Sequence, residues 1–372
     1  MNVPFADFGA HVRALRGELD AAVARVLDSG WFILGPEGTA FESELAAALG
    51  ARDAVAVANG TDALQLSLRA LGVGPGDEVV TTSISAAFSA LAILQAGARP
   101  VFVDVDERTL NLDPQRVRSA LTPRTKALVP VHLYGHPADM APLLALADEH
   151  GLALLEDACQ AHGALYQGRP VGTLRGAAGI GALSFYPTKN LGALGDGGAV
   201  LVNDPALAGR LRQLRNGGQT SRYRHEAFGV NSRLDELQAA FLRVGLAHLE
   251  RWTARRREIA EFYRRELAGT GLRLPEEQPY GRAVYHLFVV RHPHRDALAA
   301  ALAERGIGTL IHYPIPLHLQ PAFAELGGRP GDLPVAERAT SQILSLPLYP
   351  ELRDEQAAAV VQALRDSLPR LC

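Results

Sequence analysis

The sequence predicts an α/β protein with a large, mainly parallel sheet, followed by a smaller α+β unit. Two observations favour this fold class. Short Val/Ala/Leu-rich runs alternate with longer amphipathic segments, as in proteins whose parallel strands are joined by helices. The chain has 372 residues, nearly half of them apolar, which is enough for one large core plus a smaller second domain, or for two similar domains.

The elements of the first half are bounded by Gly, Pro or Asp. In order they are a strand at AVAVAN (54–59), a turn at NGTD, a helix at ALQLSLRALG, a strand opened by GPGDEVV, a helix around 90–96, strands at RPVFVDVD and ALVPVHLYG, a helix from Met140 to His150, and a strand at LALLEDA. From residue 177 to 203 the pattern changes to short strands and tight glycine turns without a helix. We expect the chemistry of the protein in that segment.

The C-terminal third predicts a second unit. An arginine-rich amphipathic segment from Leu234 to Leu267 predicts one long helix that connects two domains. Beyond it, YHLFVVRH predicts a strand, RDALAAALAERG a helix, and AERATSQILSL (336–346) a further helix. The predicted division is a large domain at 1–250 and a small α+β domain at 251–372, with the long helix spanning the boundary.

Composition excludes several classes of function. The formal charge of −3 is spread along the chain without a basic block, which argues against nucleic-acid or membrane-surface binding. No apolar run is long enough to span a membrane, and the N-terminus lacks the layout of a secretory signal, so a cytoplasmic location is expected. Two cysteines, Cys159 and Cys372, cannot build a disulfide framework, and the scattered histidines predict no metal site.

Lys189 is the first candidate for chemistry. It lies in SFYPTKNLGALGDGG, where glycines permit close approach of the backbone and few charges keep an ammonium solvated. Burial lowers the pKa of a lysine, as imine formation with an aldehyde cofactor requires. The same residues equally suit a surface lysine in a glycine-rich turn.

Asp157 ends the apolar run LALLEDA, which places its carboxylate at the C-terminal end of a central strand, where open α/β sheets bind ligands. Pyridoxal phosphate offers such a carboxylate a cationic partner, because its protonated pyridine nitrogen makes the ring an electron sink. Gln160, three residues on, is within reach of the ring hydroxyl of the same cofactor. The alternative for Asp157 is an N-cap of the following helix.

A phosphate site is predicted where NGTDAL leaves a buried strand. Gly60 and Thr61 stand at the start of a helix, where free N–H groups and the helix dipole favour an anion. Ser184, five residues before Lys189, can add a hydroxyl. Helix capping and a buried strand position, respectively, are the ordinary alternatives for these residues.

Taken together, these segments resemble the DegT/DnrJ/EryC1/StrS family of sugar aminotransferases, a branch of the fold-type I pyridoxal-phosphate enzymes. The likeness spans nearly the whole chain. The motifs that carry it are SGWFILGPEGTAFESELAAALG, NGTDALQLSLRALGVGPGDEVV, GARPVFVDVD, LLEDACQAHGA, SFYPTKNLGALGDGGAV, RNGGQ, GVNSRLDELQAA, IHYPIPLH and LSLPLYPEL. The resemblance implies a large α/β/α domain with a mainly parallel, seven-stranded type of sheet and a smaller α+β C-terminal domain.

The resemblance also implies a role for each matching residue. Lys189 carries pyridoxal 5'-phosphate as a Schiff base and acts as the general acid/base, while Asp157 holds the pyridine nitrogen and Gln160 the ring hydroxyl. The implied phosphate contacts are Gly60, Thr61, Ser184 and Asn231, the last reaching in from the neighbouring subunit of a homodimer. Hexose contacts are implied for Tyr186, His312 and Tyr313.

One position departs from the commoner family pattern. Many relatives place an aromatic residue over the cofactor ring, whereas the matching position here is Ala86, with Phe88 two residues on. Some relatives that act on 3-keto nucleotide sugars are similar in having alanine there. The departure puts the ring-stacking contact in doubt and favours a 3-keto substrate.

The implied reaction is a ping-pong transfer of an amino group from L-glutamate or glutamine to a nucleotide-linked keto sugar. The sugar is expected to be a dTDP- or UDP-linked 3-keto or 4-keto deoxyhexose. Alternatives are an aminotransferase for a cyclitol or another ketone, and a non-catalytic regulatory homologue. A dehydratase on a similar fold is disfavoured, because relatives of that kind have histidine in place of the lysine.

Overall fold

The computed structural model describes residues 2–370; Cys372 lies outside them. Within this range the strands are β1 (Asp53–Val57), β2 (Glu78–Thr82), β3 (Arg99–Val103), β4 (Thr125–Val129), β5 (Ala153–Leu154), β6 (Glu156–Asp157), β7 (Leu165–Tyr166), β8 (Arg169–Pro170), β9 (Ile180–Ser184), β10 (Gly198–Val202), β11 (Gln219–Ser221), β12 (Arg224–His225), β13 (Gly281–Arg282), β14 (Phe288–Arg291) and β15 (Ile343–Leu346).

The helices connect these strands. They are α1 (Phe8–Ser29), α2 (Pro36–Ala48), α3 (Gly60–Ala70), α4 (Phe88–Gln95), α5 (Pro114–Ala120), α6 (Met140–Glu149), α7 (Pro205–Arg215), α8 (Glu236–Glu266), α9 (Arg295–Ala303), α10 (Pro334–Gln342) and α11 (Asp354–Ser367). Several begin where the sequence supplies an N-cap: Asp7, Asn59, Asp113 and Asp204 each accept a hydrogen bond from a first-turn N–H. None of the helices within 2–370 is long and apolar enough to cross a membrane.

The central sheet confirms the predicted fold class. One half has the strand order β1-β10-β9-β6 and the other half β3-β2-β4-β5. Only Leu155 separates β5 from β6, so the two halves continue into one another and give seven strand positions. Strand β10 is antiparallel to both neighbours, whereas β6–β9, β4–β5, β2–β4 and β2–β3 are parallel.

Both faces of this sheet are covered, which explains its continuous apolar runs. Strand β1 shows the arrangement most simply. Ala54 and Ala56 point into the core that contains Phe41 and Leu128, whereas Val55 and Val57 point into the core on the opposite face. Because successive side chains of a strand point to opposite faces, this one strand contributes residues to two separate hydrophobic cores.

A third core lies in the C-terminal part of the chain. It joins the end of α8 to the antiparallel pair β14–β15 and to helices α9 and α11. Val3 also belongs to this core and forms a parallel bridge with Ile307, so the N-terminal segment packs against the C-terminal unit. The domain boundary near residue 250 stays a prediction.

Two local expectations are wrong. The segment 336–346, expected to be one helix, contains α10 only to Gln342 and continues as strand β15. All four residues of β15 are buried and pair with β14, so long-range pairing overrides the helical pattern. In addition, α3 begins at Gly60, inside the expected NGTD turn, because the Asn59 side chain accepts a 2.8 Å bond from Asp62 N–H.

One buried carboxylate fixes the N-terminus of α2 against α8. Glu236 is 1% exposed and accepts hydrogen bonds from the backbone N–H groups of Gly35, Glu37 and Gly38 at 2.9, 2.8 and 3.0 Å. Gly35 has no alternative at its position, since a Cβ there would lie 2.6 Å from Trp31 and 2.7 Å from Glu236. The negative charge also suits the positive end of the α2 dipole.

We expect Glu236→Gln to lower the free energy of unfolding by about 1.5–3 kcal/mol, since the amide loses one acceptor and the charge that strengthens these bonds. Urea denaturation followed by circular dichroism measures the change. Glu250→Gln, an exposed substitution on the same helix, is the matched control. Equal denaturation midpoints for the two variants would show that the carboxylate contributes nothing.

Candidate active site

A cavity of about 1100 Å³ opens at the edge of the sheet where β1, β6 and β9 end. These three strands run in the same direction, because β10 is antiparallel to both β1 and β9, and β6 is parallel to β9. Asp157 is the last residue of β6, Gly60 follows β1, and Lys189 follows β9. All three line the cavity, as is usual at the carboxyl edge of an open α/β sheet.

Lys189 lies in a tight turn after β9. Its backbone N–H donates to Tyr186 O at 2.8 Å, and the buried side chain of Asn190 donates to Val284 O at 2.9 Å, so the turn is fixed from both sides. The Lys189 side chain is half-buried and faces the cavity. Desolvation lowers its pKa, against the opposing influence of Cys159 and Asp157. The alternative of a fully exposed surface lysine is therefore wrong.

Asp157 is 3% exposed and held by two donors. Its Oδ2 accepts a 2.7 Å hydrogen bond from the Ser89 hydroxyl, and its Oδ1 accepts a 3.2 Å bond from Cys159 N–H. Ser85 lies 3.3 Å from Ser89, Oγ to Oγ, and extends this chain of hydroxyls. The carboxylate is therefore fixed in orientation at the cavity wall. It is not the N-cap of a helix.

The predicted phosphate contacts surround the N-terminus of α3. A Cβ on Gly60 would lie 2.6 Å from Ser184 Cβ and 3.2 Å from Cys159 Sγ, so only glycine fits there. Thr61 is half-buried and lines the cavity next to Gly60, and Ser184 lines it from the end of β9. Free N–H groups, a helix dipole and two hydroxyls thus form a concave site for an anion.

Gln160, His312 and Tyr313 are also brought together. Gln160 Oε1 accepts from Tyr134 N–H at 2.9 Å, and its Nε2 donates to Tyr313 Oη at 3.4 Å. His312 Nδ1 lies 2.8 Å from Ser345 Oγ, and its carbonyl accepts a hydrogen bond from the Tyr134 hydroxyl. Burial raises the pKa of Tyr313 and, with the charge of Lys189, lowers that of His312 to about 4. His312 is therefore neutral near pH 7.

Four further positions differ in exposure or in their place relative to the cavity. Tyr186 lines the cavity and is 53% exposed, which leaves its ring free to meet a ligand. Ala86 and Phe88 both line the cavity, and Phe88 is 59% exposed. Asn231 is exposed and is not among the residues that line the cavity. A single chain thus assembles the predicted set without Asn231.

Sequence reasoning missed several groups at this site. Ser89 lies inside the apolar helix α4 and is recognisable only by its contact with Asp157. His286 and Arg256 line the cavity from the C-terminal part of the chain. His162 is 1% exposed, stacks on Phe185 with 5.8 Å between centroids, and has its pKa lowered to about 3 by desolvation and by Lys189. His162 does not line the cavity but lies within the motif LLEDACQAHGA, whereas none of the motifs that carry the family resemblance contains Ser89, His286 or Arg256.

The residues present suit a cofactor that offers a phosphate, an aldehyde and a ring nitrogen. The concave anion site, the desolvated lysine and the fixed carboxylate provide one partner for each group, and they occur in a single cavity. No group of three or more metal-ligating side chains was found within 2–370. The fold and the site together are those expected of α/β enzymes that use a lysine amine for covalent catalysis.

Comparison with known proteins specifies the class further. The model of the DegT/DnrJ/EryC1/StrS aminotransferase family matches residues 14–365. The dTDP-3-amino-3,4,6-trideoxy-alpha-D-glucose transaminase of Streptomyces venezuelae is 53% identical over 370 residues, which cover 99% of this chain and 97% of the relative. The chain belongs to the DegT/DnrJ/EryC1/StrS aminotransferase family, and the protein is an aminotransferase.

Solved structures agree with this assignment. The X-ray crystal structure of S. venezuelae DesV in complex with a ketimine intermediate matches with a TM-score of 0.97 at 53% identity, covering 99% of this chain and 98% of that chain. NtdA from Bacillus subtilis with bound cofactor PMP matches with a TM-score of 0.91 at 32% identity, covering 99% of this chain and 85% of that chain. The expectations of a fold-type I transferase and of an enzyme, rather than a regulatory protein, are confirmed.

We expect the buried His162 to make stability depend on pH. Folding lowers its pKa from 6.5 to about 3, so the unfolded chain binds the proton more tightly and stability is lost as the pH falls below 6.5. The slope is at most about 1.4 kcal/mol per pH unit for one proton. Urea titrations at pH 7.5, 6.5, 5.5 and 4.5 measure the total slope, to which His286 and His312 also contribute, and His162→Asn should reduce it by the share of one proton.

The matched control is His150→Asn, which replaces an exposed histidine at the end of α6. We expect this variant to keep the wild-type slope. If His162→Asn has the same pH dependence as wild type, protonation of His162 is not coupled to unfolding.

Proposed function

We propose that this protein is a pyridoxal 5'-phosphate-dependent aminotransferase that moves an amino group from L-glutamate or glutamine to a nucleotide-linked keto sugar. The acceptor is a dTDP- or UDP-linked 3-keto or 4-keto deoxyhexose, and the two half-reactions alternate in a ping-pong mechanism. The observation that carries the proposal is the convergence of Lys189, Asp157 and the Gly60 site in one cavity. The PMP bound to one structural relative supports the cofactor.

Each residue has a defined task in this reaction. The cofactor supplies, when bound, an electron sink for the charge that develops at the substrate carbon. Asp157, fixed by Ser89, keeps a proton on the pyridine nitrogen, and Gln160 binds the ring hydroxyl. Lys189 would hold the aldehyde carbon of the cofactor covalently, with loss of water, and its amine, once displaced by the amine of the donor, would accept a proton from the substrate carbon and return it.

Further contacts complete the binding of cofactor and substrate. Gly60, Thr61 and Ser184 bind the phosphate at the N-terminus of α3. Tyr186, His312 and Tyr313 lie around Lys189 and contact the hexose. With a pKa near 4, His312 meets the sugar as a neutral hydrogen-bonding group.

The acceptor carbon is proposed to be C3. Ala86 leaves more space in the cavity than an aromatic residue would, and the Streptomyces relative is named for a 3-amino sugar. A cyclitol or another ketone is the second candidate acceptor. Turnover of nucleotide-linked 3-keto, nucleotide-linked 4-keto and cyclitol ketones by one preparation distinguishes these classes.

The active unit is proposed to be a homodimer with shared sites. Asn231 is exposed and does not line the cavity of its own chain, so it is free to contact the phosphate site of a second subunit. Each subunit is proposed to divide near residue 250, with α8 spanning the boundary. The cytoplasmic location expected from the sequence stays a prediction.

We expect the protein loaded with pyridoxal phosphate to absorb visible light and to lose that band when L-glutamate is added. Borohydride reduction should fix the cofactor to a lysine, which peptide mass spectrometry then identifies. The chain has only two lysines, Lys126 and Lys189, which makes the assignment simple. Because Lys189 provides both the covalent bond and the proton transfer, Lys189→Ala should lose at least ~10²–10⁴-fold in turnover.

Lys126→Ala is the matched control, because Lys126 is exposed on β4. It should keep the band and the turnover. Label on Lys126, or normal turnover by Lys189→Ala, would remove Lys189 from its role. A stable band that no amino donor alters would contradict the aminotransferase reaction.

We expect a mixture of two inactive variants to recover activity if the site is shared. Lys189→Ala and Asn231→Ala are mixed, unfolded and refolded together, and then assayed. A hybrid dimer contains one site with both native residues, so random pairing restores about a quarter of the wild-type sites in a symmetric dimer. Size-exclusion chromatography verifies the dimer in every sample.

Lys189→Ala mixed with Asp157→Asn provides the control. Both residues belong to the same chain's cavity, so every site in that hybrid keeps one defect. Recovery in the control, or none in the Lys189/Asn231 mixture, would contradict the shared site. The second result would leave the role of Lys189 intact.

A further inference from the structure

The wall of the cavity contains a second cation, Arg256, that the proposed chemistry does not use. Among the described residues that line the cavity, Lys189 is the only lysine and Arg256 the only arginine. Lys189 is committed to the cofactor. Arg256 projects from α8 and is 6% exposed. A permanently charged group buried to this degree needs a counter-charge or a full set of acceptors.

Hydrogen bonds fix one nitrogen of the Arg256 guanidinium and leave the others without partners among the described residues. Its Nη1 donates to the main-chain carbonyls of Leu348, Tyr285 and His286 at 2.9, 3.3 and 3.4 Å. Its Nε is buried without a partner, and within 2–370 its Nη2 makes no hydrogen bond either. The three carbonyls fix the plane of the fork and leave donor capacity unused. Such an arrangement suits the planar recognition of a carboxylate.

No carboxylate of the described chain neutralises Arg256. The nearest acid by electrostatic effect is Glu351, which raises the pKa of Arg256 but is hydrogen-bonded at 2.7 Å to His11. Desolvation outweighs this effect and lowers the pKa of Arg256 to about 10, so the side chain remains cationic near pH 7. Arg256 therefore forms no salt bridge with a carboxylate among residues 2–370, and the carboxylate of a ligand can supply one.

His286 lies next to Arg256 and is uncharged. It lines the cavity, is 6% exposed, and its Nδ1 has no hydrogen-bond partner. Burial and the charges of Lys189 and Arg256 lower its pKa well below the usual value. His286 therefore offers a hydrogen bond without a second positive charge.

The two cations enter the cavity from different parts of the fold. Arg256 is hydrogen-bonded to the carbonyl of His286 at 3.4 Å and to that of Leu348 at 2.9 Å, both in the C-terminal part of the chain. Lys189 stands in the turn after β9. An α-carboxylate must stay close to the reacting carbon and to Lys189, whereas the side-chain carboxylate of a longer acidic donor extends away from it.

We propose that Arg256, together with His286, binds the side-chain carboxylate of an acidic amino donor and so selects glutamate over glutamine. This inference rests on the proposed aminotransferase function and names the donor for it. A neutral amide gains no charge-assisted bond from the guanidinium, so discrimination follows from the lost ion pair. Aspartate is one methylene shorter and is expected to reach Arg256 poorly.

The test separates the two half-reactions. The protein loaded with pyridoxal phosphate is mixed rapidly with glutamate or glutamine, and the loss of the visible band gives an apparent Kd for each donor. In Arg256→Gln we expect the Kd for glutamate to rise roughly 30-fold or more, as for truncation of one partner of a buried charge pair. The Kd for glutamine should stay nearly constant, so the glutamate/glutamine preference of wild type should largely disappear.

A binding measurement independent of catalysis accompanies it. Calorimetric titration with glutarate, which has two carboxylates and no amino group, should show weaker binding to Arg256→Gln and to His286→Gln than to wild type. Titration with dTDP should give the same Kd in all three proteins. His286→Gln keeps Arg256 and its carbonyl bonds, so it tests the site even if the arginine variant fails to fold.

Arg295→Gln is the matched control. Arg295 is also buried and donates through Nη1 to the carbonyls of Thr340 and Ile343, at 3.3 and 2.9 Å, but it does not line the cavity. It should leave every Kd unchanged. This control separates a specific carboxylate contact from a general loss of packing around a buried arginine.

Each other outcome has a definite meaning. Equal losses for glutamate and glutamine would overturn the side-chain assignment, and a parallel loss of dTDP affinity would assign Arg256 to the diphosphate instead. Unchanged glutamate and glutarate affinities in both variants would show that neither Arg256 nor His286 binds the donor carboxylate. If wild type converts no amino donor at all, the proposed function fails. If wild type converts glutamate normally and the Arg256 substitution changes no donor Kd, only this inference is overturned.

Discussion

The common direction of β1, β6 and β9 is the constraint on which the rest of the structure depends. Since all three strands end at one edge of the sheet, the residues that follow them meet in one cavity although they are far apart in sequence. Strand β10 makes this possible, because its antiparallel pairing with both neighbours keeps β1 and β9 parallel to each other. Gly60, Asp157 and Lys189 take their positions from this arrangement.

Rigidity around these residues comes from buried polar contacts with distant elements. Ser89 on α4 holds Asp157, and the backbone of Tyr134 holds Gln160. Asn190 joins the turn of Lys189 to Val284 in the C-terminal part of the chain. Each contact satisfies a polar group that would be costly to bury alone, and each also fixes a side chain that faces the cavity.

Burial and the charge of Lys189 lower the pKa values of the histidines in and beside the cavity. Desolvation lowers the pKa values of Lys189, His162, His286 and His312, and the Lys189 charge adds to this effect at all three histidines. The histidines are therefore neutral near pH 7 and do not compete with the cation of Arg256. The same burial that favours a nucleophilic amine makes folding sensitive to acid.

The sequence by itself determined the fold class, the strand ends and the core of the site. Apolar runs and turn residues are local signals, and they are sufficient to place Asp157 at the end of a strand and Lys189 in a glycine-rich segment of short strands and turns. Tertiary structure decided what lies far apart in sequence: the strand β15, which pairs with β14 against its helical pattern, and the convergence of Ser89, Arg256 and His286 on the cavity. These contacts depend on packing between distant segments, so no local spacing records them, and the tertiary structure alone determines them.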